Sequence, residues 1–570
     1  MKIALFYPPV GNTCQPYLST PALVAYLKQN GVKDVTQYDF NILATEDLLS
    51  TERLQRAYRW CYHYLRKYPQ PNNLSDLDAI RLQLSLSAMA QGPQIIREID
   101  RAKRIFRTDS FYDAGKYQHA LDTLRAGYQL ISSRYYPSVI NNQSFIMAYR
   151  LDDTNDILSA VHDENANFFN EILSEKIEDV FGSDGRPDVA GISIGYYEQL
   201  IPGLTLARLI KQFSPETHVT VGGTMLSAFF NKKFKPAFFK IFDSIIFFEA
   251  EISFLKLIHA VSQKAGFDRV PNAAFLQDGK VVRTPITPAR IDLDALPVPD
   301  FSGFPLSKYL SPEPILPLAG SRGCYWRKCT FCTRQHFIDS FRQRSPQNII
   351  EDITRLHNRY GAKAFFFVDE CVSPSILNAL AEGIIDRKLD IRWSCYVRFE
   401  AKLADKTFCK KLSRSGLRML YFGLESACQR IIDLMRKGNR KEKMAQILES
   451  TASAGILNMI LYFVGFPSET RAEALETKSF LMDNRNFITF ALAGQFLLEE
   501  SSPVFDTPEQ FGITEISPLS ENSDLGIIYN YKTNSGLSNQ AAAELKDFIN
   551  NETQVLHHLE FLNRSHLLLS

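Results

Sequence analysis

The chain has few cysteines for its size: nine in 570 residues, an odd and thinly spread set that argues against a disulfide framework and for a reducing compartment, the cytoplasm. It has no stretch approaching the roughly 18 unbroken apolar residues of a membrane helix, so no membrane span is expected. It also lacks an excess of either charge. Lys plus Arg number 64 and Asp plus Glu 63, a formal net charge of +1 that gives no global electrostatic case for a nucleic-acid partner. What remains is the composition of a folded protein, 45% hydrophobic and 22% charged. Its length is enough for about three to four domains. The start, MKIALFYPPV, has one lysine and a short apolar run broken by Pro8 and Pro9, and reads as a buried strand rather than a signal peptide.

Two regions alternate strand and helix patterns. The first has strands at 2–7, 188–194, 218–221 and 244–248, helices at 20–30, 202–213 and 252–262, and glycines at strand ends, notably Gly195, Gly222 and Gly223. That order predicts a doubly wound parallel sheet with a ligand above the strand carboxyl ends. Residues 44–187 lack strand-like runs and read as a helical insertion, which either covers a sheet edge or recognises substrate. A proline-rich linker is expected over 266–314. Six more strands, at 315–319, 364–368, 391–396, 418–422, 458–463 and 488–493, alternate with helices and predict a partial parallel barrel over 315–499, its chemistry on the strand-end loops. The expected division is therefore 1–265 with the insertion, linker 266–314, barrel 315–499, and a mixed segment 500–570.

Directly after the first barrel strand comes GSRGCYWRKCTFC, placing Cys324, Cys329 and Cys332 in a C-x4-C-x2-C spacing on one loop. Three thiolates there can hold a four-iron four-sulfur cluster with one iron open to a small molecule. A zinc site, with His336 as fourth ligand, and unligated cysteines are the alternatives. Cys371, Cys395, Cys409 and Cys428 form no pair at ligand spacing and are expected to be structural.

The triplet, Phe331 before its last cysteine, and the motifs FFFVDE (365–370), YVRFE (396–400), YFGLES (421–426), LMRKGNRKE (434–442) and FVGFPSET (463–470) resemble the radical S-adenosylmethionine superfamily. Its usual spacing, C-x3-C-x2-C, is one residue shorter. The resemblance implies that the open iron binds the amino and carboxylate groups of S-adenosylmethionine. With it go Phe331 as a cofactor contact, Asp369 and Glu370 as acceptors from the cofactor ammonium, Arg398 as partner of its carboxylate, and Glu425 and Ser426 on its ribose or amino group. Read without the resemblance, these are solvated loop charges or internal salt bridges.

In the first region, LFYPPVGN, ISIGYYEQ, VTVGGTM and IIFFEAE resemble the cobalamin-binding domain of the cobalamin-dependent class. The resemblance implies a Rossmann-like sheet holding cobalamin near Pro8, Gly195, Gly222, Gly223, Glu249 and Glu251. The family's G-E-G-E loop is here Phe248-Glu249-Ala250-Glu251, and no D-x-H-x-x-G sequence supplies a histidine to cobalt. The function implied is methyl transfer to an unactivated carbon of a small-molecule or peptide natural product, with electrons from a flavodoxin or ferredoxin. A radical cyclase, oxidase or rearrangement enzyme is the alternative, and a non-enzymatic cluster- or zinc-binding module the second. A methylthiotransferase is disfavoured, since Cys14 and Cys61 alone precede the triplet and make no second cluster set.

Overall fold

The computed structural model describes residues 1–67, 74–288, 291–333, 340–553 and 560–569. They form two compact units, Met1–Arg290 with Pro297–Pro314, and Ile291–Leu296 with Ile315–Ser570.

The first unit is built on a seven-stranded sheet in the order Val35–Asp39, Ile3–Tyr7, Val189–Ser193, His218–Gly222, Ser244–Ile246, Ala273–Gln277, Lys280–Arg283. The first five strands are parallel. Ile3–Tyr7 is apolar along its whole length because it is interior to the sheet and buried on both faces. Val35–Asp39, absent from the expected set, is short and mostly polar (VTQYD), and its burial alternates with Val35, Gln37 and Asp39 inward. Residues 273–283, inside the expected linker, instead make a hairpin that closes one sheet edge in antiparallel fashion. The proline-rich stretch after it is strapped to the same unit. Gln37 donates to the carbonyls of Asp300 and Ser302 at 2.6 and 2.9 Å, Lys28 pairs with Asp300 at 2.8 Å, and the buried Tyr309 hydroxyl donates to Asp39.

The segment 44–187 is helical over Thr51–Lys67, Asp76–Phe106, Ala114–Tyr135, Thr154–His162 and Phe169–Asp184, with one two-stranded hairpin between. Arg53, buried, fastens it by reaching Asp47, Glu171 and Glu175 at 2.7 to 2.8 Å. Among the described residues no helix is long and apolar enough to cross a membrane.

In the second unit six parallel strands pair in sequence order: Ile315–Leu318, Ala364–Phe367, Arg392–Val397, Leu417–Glu425, Leu457–Val464 and Phe490–Gln495. Helix starts between them are capped by sequence-local means. Ser345 and Ser373 cap helices with proline at the first position, and Thr470 forms a reciprocal capping box with Glu473. The α/β class and the partial barrel are as expected. The remainder forms a three-stranded antiparallel sheet, a helix Asn539–Glu552 and a final turn Arg564–Leu568, whose Leu567 packs against Met419, Tyr421 and Met459 of the barrel.

Two residues in these loops carry measurable costs. Gly223 has φ +103°, and a Cβ there would lie 2.4 Å from the Ile194 carbonyl oxygen. Gly223→Ala should therefore cost about 1–3 kcal/mol, read as a melting midpoint lowered by several degrees. Glu469, 1% exposed after the fifth barrel strand, accepts from the Gly465 N–H at 2.6 Å, yet burial pushes its carboxyl up to about 7. A carboxyl raised in the folded state stabilises below its unfolded pKa and loses that contribution as pH rises through the folded value. Glu469→Gln should thus raise the melting midpoint at pH 8 relative to the parent and leave it nearly unchanged at pH 4.5, as paired thermal scans would show.

Candidate functional site

The barrel's first strand ends at Leu318 and runs through Gly320 and Ser321 into the cysteine loop. Its exit is fixed by Asp369 at the end of the neighbouring strand, whose two carboxylate oxygens accept from the Gly320 N–H at 2.9 Å and from the Ser321 hydroxyl. Asp369 is buried, and burial holds its carboxyl up at about 6. Both of its oxygens are thus engaged in holding the loop. Glu370, beside it, is exposed.

Cys324, Cys329 and Cys332 are partly exposed, while the six other cysteines are buried. The Cys371 thiol faces both the Tyr325 hydroxyl, at 3.7 Å, and Cys324. Hydrogen bonding from Cys371 lowers the Cys324 thiol to about 6 against the opposing effect of burial, helped by the N–H groups of Arg327 and Trp326. Burial raises Cys329, opposed by the Lys437 ammonium. Among the described residues no three His, Cys, Asp or Glu side chains converge on a single-ion site. A zinc ion needs its ligands to meet at one point about 2.3 Å from each sulfur, whereas a cubane takes one thiolate at each of three corners. The donor set fits the cluster. His336, the fourth zinc ligand considered, lies outside the described residues.

Around the loop stand residues from the next strand ends. Phe331 packs edge-to-face on Phe463, ring centroids 5.2 Å apart, and Thr330 before it is bound to the Met435 and Leu434 carbonyls at 3.0 Å. The Arg398 guanidinium stacks 3.5 Å over the Trp326 ring, donates to the Lys437 carbonyl at 2.7 Å and pairs with Glu400 at 3.1 Å. Glu425, in a left-handed conformation (φ +61°) at a register shift in its strand, accepts from the Lys437 ammonium at 2.7 Å. Burial alone would depress that ammonium, but Glu425 and Cys329 outweigh it and hold it raised. Ser426 is fully buried and accepts from the Cys428 N–H at 3.2 Å, which fixes the backbone after Glu425. Three buried polar atoms next to this group have no partner: Arg398 Nη1, Asn439 Oδ1 and Asn439 Nδ2. Such orphans are rare in folded proteins and mark a place for a polar ligand.

The motif stretches also hold Tyr325, Trp326, Glu400, Lys437 and Asn439, to which the sequence pattern alone gives no role. Lys437 and Asn439, close after the GLES strand end, were the available signal.

In the first unit, Pro8 and Gly195 follow the two adjacent strands from which the sheet winds in opposite directions, the topological switch point. Buried Gln199 bridges them, accepting from the Gly195 N–H at 2.9 Å and donating to the Pro8 carbonyl at 2.8 Å. The glycines are explained by the chain itself. A Cβ on Gly195 would meet the Tyr17 hydroxyl at 3.1 Å, one on Gly222 the Ile246 carbonyl at 3.0 Å, and one on Gly223 the Ile194 backbone. Signs of a site here are instead Val10 at φ +70°, a genuine outlier for a β-branched residue, the unpartnered buried hydroxyl of Tyr7, and exposed Tyr196 and Tyr197. Phe248 keeps a glycine-like backbone (φ +61°) where the related loop has glycine; its N–H donates to Ser227 Oγ at 2.7 Å and its ring packs on Phe230. Glu249 occupies the N-cap position of the following helix, and Glu251 is buried in its first turn, near Tyr26.

Comparison with known proteins agrees with this layout. Residues 319–481 match the family described as "Radical SAM superfamily". An uncharacterised methyltransferase of Pyrococcus horikoshii is 27% identical over 301 residues, 52% of this chain and 64% of that protein. An anaerobic magnesium-protoporphyrin IX monomethyl ester cyclase of Rubrivivax gelatinosus is 27% identical over 307 residues, 51% and 53% of the two chains. The chain thus matches between half and two thirds of these relatives' lengths. The radical S-adenosylmethionine methyltransferase TsrM from Kitasatospora setae, solved with cobalamin and a four-iron four-sulfur cluster bound, superimposes with a TM-score of 0.59 at 12% identity over 99% of this chain and 94% of its own, which establishes a common fold.

Lys437→Met would leave the Glu425 carboxylate without its partner, at a cost of about 3 kcal/mol. The double variant Lys437→Met/Glu425→Gln should recover most of that loss in chemical denaturation.

Proposed function

Because residues 319–481 are a radical S-adenosylmethionine domain, we propose that this chain is a cobalamin-dependent radical S-adenosylmethionine enzyme, a C-methyltransferase acting on an unactivated carbon of a small-molecule or peptide natural product. The observation that carries the reading is the cysteine loop: the three thiols at cluster spacing stay partly exposed at a barrel strand end while the other six are buried. When bound, the reduced cluster supplies the electron that opens S-adenosylmethionine, and cobalamin supplies the methyl group.

The chain's own residues then have these roles. Cys324, Cys329 and Cys332 hold the cluster, and Asp369 fixes the loop that carries them. The cofactor carboxylate is received by the Lys437 ammonium and Arg398 Nη1, and its ammonium by Glu425 and Asn439 Oδ1, with exposed Glu370 the next acceptor along the strand ends. Phe331 backs the third cysteine, and Ser426 holds the turn that aims Glu425. In the first unit the strand ends at Pro8, Gly195, Gly222 and Gly223, with the Glu249 and Glu251 loop, hold the corrinoid; the whole-chain fold likeness supports this, together with the strain at Val10. A flavodoxin or ferredoxin delivers the electrons.

Replacing Cys324, Cys329 and Cys332 by Ala should abolish both iron binding after anaerobic reconstitution and formation of 5′-deoxyadenosine, while cobalamin uptake, followed by its visible absorption, stays at the parent level. Full iron content in the triple variant would defeat the cluster assignment. The similarity to the Rubrivivax cyclase favours a second reading, radical cyclisation without methyl transfer. S-adenosylmethionine carrying a deuterated methyl group separates the two: methyl transfer puts the label in the product, and cyclisation leaves it out while 5′-deoxyadenosine still forms.

A further inference from the structure

Between the first two cysteines stand Tyr325, Trp326, Arg327 and Lys328, one residue more than the common three. A longer span has more freedom to disorder, yet here it is held from the barrel at two adjacent points. Tyr325 donates its hydroxyl to Glu400 at 2.9 Å. Trp326 is held on several sides: its Nε1 donates to the Arg436 carbonyl at 2.8 Å, the Arg398 guanidinium lies 3.5 Å over its ring, and the Lys328 ammonium is 4.9 Å from it. Its ring edge occupies the space that a side chain at position 438 would fill. Gly438 has φ +75°, and a Cβ there would sit 2.4 and 2.6 Å from indole Cζ2 and Cη2. Arg398 cannot swing away freely, because Glu400 and the Lys437 carbonyl fix it. Just past the indole the chain turns through Arg327 at φ +51°, on its way from Cys324 to Cys329.

Resting on the cluster assignment above, we propose that Trp326 is a positioning residue for the iron–sulfur cluster. Wedged between Arg398 and Gly438, it fixes the longer half of the loop, and with it the placing of Cys324 and Cys329 as ligands. A cluster's potential depends on its solvent exposure, which the placing of the loop that carries its ligands controls. The indole thereby affects the potential without touching the cluster. The guanidinium is attracted to the face of the indole ring, which helps to hold this short turn. Gly438 is the counterpart of the wedge: it is small so that the indole can be large.

The test uses the reconstituted full-length protein, with three readouts: the midpoint potential by EPR-monitored titration, the rate of iron loss to a chelator, and the melting midpoint of the cluster-free protein. Trp326→Ala should shift the potential away from the parent value and speed iron loss several-fold, with the cluster-free melting midpoint little changed. Trp326→Phe, which keeps a ring for Arg398 to stack on, should restore most of both. Gly438→Ala, by expelling the indole, should reproduce the faster iron loss, and adding it to Trp326→Ala should have little further effect on that rate, since the space is then empty. Parent-like potential and iron-loss rate in Trp326→Ala would overturn the proposal, as would a lowered cluster-free melting midpoint with an unchanged potential, or fully additive iron-loss effects of the two substitutions. A parent protein that takes up no iron and sulfide would overturn the cluster assignment itself, and this proposal with it.

Discussion

Six strands that run the same way and pair in the order of the sequence deliver all their carboxyl ends to one rim, and everything at the candidate site depends on that. The groups that meet there come from residues 320–332, 369–371, 398–400, 425 and 437–439, far apart along the chain. Parallel pairing brings them together only because each crossover helix returns the chain to the opposite end before the next strand starts. Register matters as much as direction. The irregularity between Gly423 and Glu425 breaks the alternation at the strand end and, with the left-handed backbone of Glu425, re-aims a carboxylate toward Lys437.

A second constraint is electrostatic. Two charges, Glu425 and Lys437, lie largely buried and satisfy each other at 2.7 Å. Buried ions are tolerated only when paired, and a zwitterionic ligand presents the same two charges in complementary places. On the proposed reading, exchange of the internal pair for an aminocarboxylate would keep both buried ions compensated and would give Arg398 Nη1 and Asn439 the partners they lack. Asp369 belongs to a different part of the design. It acts on the backbone entering the cysteine loop, so its contribution to the site is made through Gly320 and Ser321.

In the first unit the glycines serve the chain's own close packing. Gly222 and Gly223 let the turn after their strand pass against Ile246 and Ile194, which is why a glycine pair at a strand end, read from sequence, does not by itself indicate a ligand. Phe248 makes the converse point. The backbone conformation that glycine favours is kept there without glycine, stabilised by the hydrogen bond to Ser227 and by contact with Phe230.

The sequence by itself determined the α/β class, the places of the six barrel strands, and the cysteine triplet on the loop after the first of them. Apolar runs of strand length, helical spacing and ligand spacing are local patterns, and local patterns survive in one dimension. It missed Val35–Asp39, which is mostly polar and gives no apolar run, and the hairpin at 273–283, whose outer strand Lys280–Arg283 is an exposed edge and whose inner strand Ala273–Gln277 is too short to stand out from the irregular sequence around it. Only the tertiary structure decided which polar residues at the strand ends face one another. Asp369, Arg398 and Ser426 stand at strand ends, as the motifs place them, but their hydrogen bonds to Gly320, Lys437 and Cys428, and the placing of Trp326 against Gly438, follow from side-chain direction and strand register. Those are fixed by packing between segments distant in sequence, which no local spacing encodes.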